Sequence, residues 1–489
     1  MKTISFYGSF LALFFVLIVR SAICFSQNVG IGTNIPVFKL DVKNGSINTD
    51  SVYRISSKTV LSIKGTHNTF IGIGADSSIT TGSNNTASGY QALYFNTTGE
   101  INTAIGTTAL YNNMTGYRNV AIGSSALYTN TSGYYNTAVG ALALANSTAS
   151  ENTAVGYYTL AFNTTGRQNT ATGASALRTN TIGDYNTAIG YAALYTNTTG
   201  DRNTATGNEA LRSNITGFSN TANGHMALHS NTMGPNNTAT GSGALDDNTT
   251  GSDNTATGLG ALGDNSTGYD NTATGVLALW HNSTGHANAA YGNQALSANT
   301  TGQFNTAIGV EADVTSGNLI LATAIGYNAR VDANYKVRIG STGVTSIGGQ
   351  VGWSNFSDGR YKQNIQENVP GISFINKLRP VTYTVDIKSL DERYYKLKPG
   401  IATAAGNSYC HTGFIAQEVE RSALELGFSF SGVDKPQQPN GLYGLRYAEF
   451  VVPLVKAVQE LSKENNELKN QNKELLERIV SIEKILKTK

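Results

Sequence analysis

The chain has 489 residues, a formal charge of +2 at neutral pH, 13% charged residues and a composition weighted toward Gly, Asn, Thr and Ala. Charge this sparse and dispersed excludes a nucleic-acid groove. The length would hold about three ordinary domains at roughly 150 residues each, but an internal repeat of great extent predicts one long fibrous element instead.

At the N-terminus Lys2 precedes an apolar run from Phe6 to Val19, then Arg20 and Ser21-Ala-Ile-Cys24-Phe-Ser26. A cation, a short apolar core and small residues predict a secretory signal over 1–26, cut after Ser26, so that the mature chain begins at Gln27. The expected location is secreted, extracellular or at the cell surface. A retained anchor is the alternative, but the run is shorter than the roughly 20 residues of a span. No later segment is apolar enough to cross a bilayer, and Cys24 lacks the small preceding residue that lipidation requires. Once Cys24 is removed, Cys410 is the sole cysteine and no intrachain disulfide can form. Cys410 is expected to be a small buried apolar residue.

Residues 27–67 read as an N-terminal β segment, and 68–340 as a repeat. Asn102-Thr-Ala-Ile-Gly106 returns as Asn119-Val-Ala-Ile-Gly123 and Asn136-Thr-Ala-Val-Gly140, and last as Asn305-Thr-Ala-Ile-Gly309, almost always 17 residues apart. Most copies carry an Ala-Leu pair (Ala109-Leu110, Ala126-Leu127) and a turn such as Asn197-Thr-Thr-Gly200, where Gly is expected to supply positive φ. Seventeen residues are too few for two packed helices, so the unit is predicted to be a β-coil of two short strands stacked into a parallel β-solenoid. The position after Ala holds Ile or Val in some copies and Thr in others (Thr172, Thr206, Thr240, Thr257, Thr274), which suggests half burial. One copy is a residue short, at Asn146-Ser-Thr-Ala-Ser150, within a turn that spares the core columns.

Asn-x-Thr triplets, as at Asn96 and Asn163, are read as turn chemistry rather than glycan acceptors. Asp184, Asp201, Asp253 and Asp270 hold no fixed column and specify neither a calcium ladder nor an acid–base pair. Tyr94, Tyr111, Tyr128, Tyr134, Tyr135 and Tyr195 are expected to pack on the neighbouring coil. His225, His229, His281 and His286 lack metal-ligand spacing. No metal or cofactor is implied. The thin Ala/Leu core argues for several chains winding together, and Ala322-Thr-Ala-Ile-Gly-Tyr-Asn-Ala329 resembles the heads of trimeric autotransporter adhesins. That resemblance implies a parallel β-roll in a homotrimer, although the membrane-anchoring barrel of that family is absent here.

Residues 341–356, rich in Gly, Ser and Thr at their start, read as a junction. Charge, Pro and aromatic residues then rise, marking a domain over 357–446. Ser357-Asp-Gly-Arg-Tyr-Lys362-Gln-Asn-Ile365, Leu378-Arg-Pro-Val-Thr-Tyr383, Gly413-Phe-Ile-Ala-Gln-Glu-Val419 and Gly444-Leu-Arg-Tyr447 follow in order and resemble the endosialidase-type intramolecular chaperones. The resemblance implies a small α+β domain that trimerises a β-helical stalk and then cuts itself off. It implies that Ser357 is the nucleophile, Lys362 its base and Phe356-Ser357 the scissile bond.

A serine hydroxyl needs a base to take its proton, and lysine serves only when neutral. Burial or a nearby cation must therefore lower a pKa that is about 10.4 in a free lysine. Arg360 would help by like-charge repulsion, and Asp358 would oppose this unless it pairs with Arg360; the sequence leaves both open. The oxyanion donor is not identifiable, and His411 is read as structural.

From Leu454 the chain shows heptads, Leu454, Val458, Leu461, Asn465, Leu468, Asn472, Leu475, Ile479, Ile482 and Leu486, within a C-terminal coiled coil over 447–489. The first functional reading is a secreted trimeric fibre or adhesin-like protein, facing a cell-surface glycan or protein ligand, matured by serine–lysine autoproteolysis. The alternatives are a phage-type tail spike acting on surface polysaccharide, or a structural trimer that does not cut. Polysaccharide cleavage needs two carboxylates fixed in a cleft, which the repeats do not offer. Membrane-tethered transcription factors also carry such chaperones, but no DNA-binding module is present.

Overall fold

The computed structural model describes residues 29–31, 40–42, 52–55, 58–390, 410–437 and 441–488. The signal expected at 1–26, with Cys24, lies outside the described residues. Among those described, no helix is long and apolar enough to cross a membrane.

The protein is mainly β. Strands Val52–Ile55 and Lys58–Ser62 pair antiparallel, and the second pairs antiparallel with Thr69–Ile71, where the parallel ladder begins. From there each coil contributes one three-residue strand, such as Thr103–Ile105, Val120–Ile122 and Thr137–Val139. Successive strands pair in parallel with Ala on Ala, Ala104 on Ala121 on Ala138, and the ladder ends at Val337–Ile339. The result is a parallel β-solenoid with an enclosed core of Ala and Leu columns.

The opposite wall of most coils corrects the expectation of a second strand, although one does form near the end of the solenoid, where Asp313–Val314 pairs in parallel with Arg330–Val331. Ala109 and Leu110 are adjacent and both fully buried, which the in–out alternation of a strand forbids. The chain achieves this by curling: Thr108 and Leu110 have φ of 54° and 51°, and the corresponding residues of other coils repeat these values. Such left-handed residues cost roughly 1 kcal/mol or more each, and the burial of each Leu, about 1.5–3 kcal/mol, offsets that cost. Coil-to-coil bonds such as Leu110 N–H to Ala126 O, 2.9 Å, hold this wall.

Two further expectations are revised by the same geometry. Positive φ belongs to the glycine that closes the strand, such as Gly106 at 134°, and not to the turn glycine. A Cβ on Gly106 would stand 2.5 Å from Gly123 O, and one on turn residue Gly99 would stand 2.5 Å from Gly116 O. Glycine at the turn thus permits backbone approach between coils. The residue after Ala faces outward and in most coils is more exposed than the expected half burial: Ile105 is 41% and Ile189 44% exposed, and Thr172, Thr240 and Thr257 are exposed, while Thr206 and Val139 are half buried. Strand alternation directs Ala inward and its neighbours outward.

Two columns of buried asparagine bind the coils. In the first, Asn119 Oδ1 accepts from Asn136 N (3.0 Å) and Asn136 Nδ2 (3.1 Å), while Asn119 Nδ2 donates to Asn102 Oδ1 (3.1 Å) and Gly133 O (2.8 Å). In the second, Asn113 Nδ2 donates to Asn96 Oδ1 (2.9 Å) and Gly116 O (3.0 Å). The short copy preserves the Ala column, Ala154 on Ala138. It places Ser147 in the second asparagine column, where Ser147 Oγ accepts from Asn163 Nδ2 at 3.1 Å and Asn130 Oδ1 is left without a partner. The tyrosines stack coil on coil, Tyr94 on Tyr111 on Tyr128 at 5.3 and 5.2 Å.

The first coil departs from the pattern. Phe70 stands in the Ala column and Asp76 in the Leu column, both enclosed, and neither carboxylate oxygen of Asp76 has a hydrogen-bond partner. Burial pushes its pKa up to about 7 against the opposing pull of Lys64.

Beyond the solenoid, residues 372–375 and 416–425 form helices, and a helix over Val451–Lys487 closes the chain. Phe374, Val419, Ala423 and Phe450 make a small separate core.

Asn203 is held like Asn119, accepting from Asn220 N at 3.0 Å and donating to Gly217 O at 2.8 Å. Asn203→Ala orphans both groups and is expected to cost about 2–4 kcal/mol. Thermal unfolding should show a clear fall in Tm that exposed Thr199→Ala does not produce. The Asp76 carboxyl binds protons more tightly folded than unfolded, where its pKa is about 3.9, so its contribution to stability falls as pH rises from about 4 to 7. The loss is on the order of 4 kcal/mol. Asp76→Leu should raise Tm at pH 8 more than at pH 4, with unequal shifts read by calorimetry.

Candidate functional site

The junction leaves the solenoid as an exposed strand-free stretch, and Phe356 is 79% exposed. Asp358 then starts a single turn over Gly359–Tyr361, its Oδ1 accepting from Arg360 N at 2.9 Å, and Lys362 N closes the turn on Gly359 O. This turn folds the chain back by five residues. Lys362 Nζ thereby donates to Ser357 Oγ at 2.8 Å. Both residues are exposed. The aromatic rings of Phe356 and Tyr361 meet beside them at 5.6 Å.

The alternatives left open for Asp358 and Arg360 resolve in favour of pairing. Arg360 Nη2 lies 2.6 Å from Asp358 Oδ2, and Nε reaches both carboxylate oxygens at 3.1 and 3.2 Å. Arg360 holds the Asp358 carboxyl below the usual range, and Asp358 raises Arg360 in turn. The guanidinium is therefore occupied, and its charge is compensated before it acts on Lys362. An exposed pair of this kind adds little stability.

The other three sequence blocks come together in one body. Strand Val381–Tyr383 pairs antiparallel with His411–Gly413, and Phe414 N donates to the Tyr447 hydroxyl at 3.2 Å. Arg379 joins the first block to the second through Glu418 at 2.6 Å. Glu460 of the long helix accepts from Ile372 N at 2.8 Å and so caps the helix that starts there. The role of Glu460 was invisible in the sequence, because its partner lies 88 residues away. The His411 ring stacks on Tyr383 at 5.6 Å, a packing role. Cys410, expected to be buried, is exposed, because it stands just outside the start of that strand. Among the described residues no group of three His, Cys, Asp or Glu side chains is placed to hold a metal ion.

Residues 357–427 match the peptidase-family model described as chaperone of endosialidase. The chain carries a segment of endosialidase-chaperone type behind its solenoid. The match opens on Ser357 itself and ends before Tyr447 and the long helix. No curated protein matches the chain. A β-solenoid stalk followed by such a chaperone is the arrangement of a tail-fibre-like protein.

Tyr447→Phe removes the acceptor of the Phe414 amide, and a loss of about 0.5–1.5 kcal/mol is expected, read as earlier unfolding of the C-terminal segment in hydrogen exchange.

Proposed function

We infer that the protein is a secreted, homotrimeric fibre of adhesin-like duty, whose C-terminal segment aligns three chains and then severs its peptide link to the stalk by cleavage before Ser357. The observation that carries this reading is the 2.8 Å approach of Lys362 Nζ to Ser357 Oγ at the residue where the family match begins. Ser357 Oγ attacks the Phe356 carbonyl carbon, the Phe356–Ser357 amide becomes an ester and the Ser357 amine is freed. Water then opens the ester to a Phe356 carboxylate. Lys362 takes the hydroxyl proton and returns it to the leaving amine.

Lysine must be neutral for this, whereas here its ammonium donates to Ser357 in open solvent. Packing of neighbouring chains around the junction would strip water from that ammonium and favour the neutral amine. Cleavage would thus wait for assembly. Partners are also wanted by the long helix, whose heptad residues Leu454, Val458, Leu461, Leu468, Leu475, Ile479, Ile482 and Leu486 are all 46–68% exposed. Asn465 and Asn472 at core-facing positions of that seam would fix register, and Ile479 with Ile482 favours more than two strands. The exposure of Ser357 and Lys362 also supports a second reading, a permanent trimer clamp that does not cut.

Intact mass and N-terminal sequencing of the secreted product separate the two. The expected result is a fragment beginning at Ser357 that disappears in Ser357→Ala and Lys362→Ala, with trimers retained in both variants. An uncut wild-type trimer would remove the peptidase and keep the clamp.

A further inference from the structure

The last coil of the solenoid has no successor, so the backbone groups that elsewhere bond the next coil need another partner. The C-terminal segment supplies one. Gln437 Oε1 accepts from Asn334 N at 3.2 Å while Gln437 Nε2 lies 3.5 Å from Asn334 O, so one side-chain amide meets both backbone groups of a single residue. A charge chain runs alongside. Lys336 Nζ sits 3.0 Å from Asp332 and 3.3 Å from Asp434, and Asp434 in turn faces Arg446 at 3.5 Å.

The two sides of this contact are differently built. On the stalk, the Asp332 side chain is 4% exposed and fixes the Lys336 ammonium in place before docking. On the chaperone side, Val433–Asp434 pairs antiparallel with Gly444–Leu445, and Val433 and Leu445 pack on the small aromatic core. Asp434 and Gln437 therefore project from a supported arm. Leu390 and Leu442 line a cleft of about 440 Å³ together with Arg338 to Gly340 at the end of the stalk and Val344 to Ile347 of the junction. None of these contacts passes through the Phe356–Ser357 bond.

We propose that this arm is a latch that holds the C-terminal segment on the finished end of the stalk independently of the peptide link, so that the segment stays seated after the chain is cut. The latch gains its biological meaning from the self-cleavage proposed above, but its existence does not depend on it. Its polar contacts lie near solvent, so each is individually weak and screened by salt; three copies in a trimer act together. The segment is thus retained in dilute salt and released by ionic strength.

The test uses the full chain carrying Ser357→Ala, with a site-specific protease sequence substituted into the exposed stretch 349–355, so that an added protease makes the cut. Gel filtration follows at about 50 mM and about 500 mM salt, between which the screening length falls from roughly 14 Å to roughly 4 Å. The two pieces should co-elute at low salt and separate at high salt. Asp434→Asn combined with Gln437→Ala should separate them at low salt, while the uncut double variant elutes as its parent does. Should the uncut double variant elute differently, the salt profile of the parent decides alone. Separation of the parent pieces at low salt, co-elution unaffected by salt, or a double variant that retains its pieces like the parent would each overturn the latch. Because Ser357 is absent throughout, failure here is distinct from failure of self-cleavage.

Discussion

Each coil of the stalk is completed only by the next one. Asn119 has all its amide groups satisfied because Asn136 and Asn102 lie one coil above and below, at hydrogen-bond distance. Gly106 lets the next coil approach because it has no Cβ to meet the Gly123 carbonyl. A buried amide without a partner costs about 1–3 kcal/mol, so an isolated coil carries two such deficits beside a core only an Ala and a Leu wide. Stability in a fold of this kind resides in the interfaces between repeats rather than in the repeats.

The two ends bear the consequence of that dependence. At the start, Phe70 fills the space that Ala occupies elsewhere, and Asp76 brings a buried carboxylate into a column of leucines. Near the finish, Asp313 is equally buried but fully engaged, by Arg330 at 3.0 Å, Ser297 and the Ala298 amide. The first end is the strained one and the second is the sealed one. Winding that begins at the sealed end, where the chaperone-type segment stands, meets its least favourable coil last. Once every coil is paired, opening must begin at an end and proceed against the ladders, an arrangement that favours slow unwinding.

Much of this was legible in the residues. The 17-residue period, the Ala and Leu columns and the stacked tyrosines follow from repetition alone. The asparagine ladders were not read, because Asn beside Thr and Gly is also what a surface turn looks like, and only the stacking shows that the amides face inward. The adjacency of Ala109 and Leu110 did carry the signal against a second strand; the left-handed Leu that makes it feasible runs against ordinary residue preference and so was not anticipated. At the site, the pairing of Ser357 with Lys362 was expected from the resemblance carried by the surrounding blocks and not from the two residues alone, which read as an ordinary turn; their side chains do meet, at 2.8 Å. Their exposure was not expected, because a lysine acting as a base calls for burial or a nearby cation. The pairing of Asp358 with Arg360 turned on a local turn geometry that two competing charges left undecided.

The central claim is that the segment after Phe356 is needed to form the stalk and not to keep it. The direct measurement compares two stalks of identical sequence, one released at residue 356 from an assembled full chain, the other expressed to end there. The account predicts that the released stalk remains a folded trimer by circular dichroism and light scattering, while the truncated chain fails to reach that state under the same conditions. A truncated chain that assembles into the same trimer unaided would contradict it.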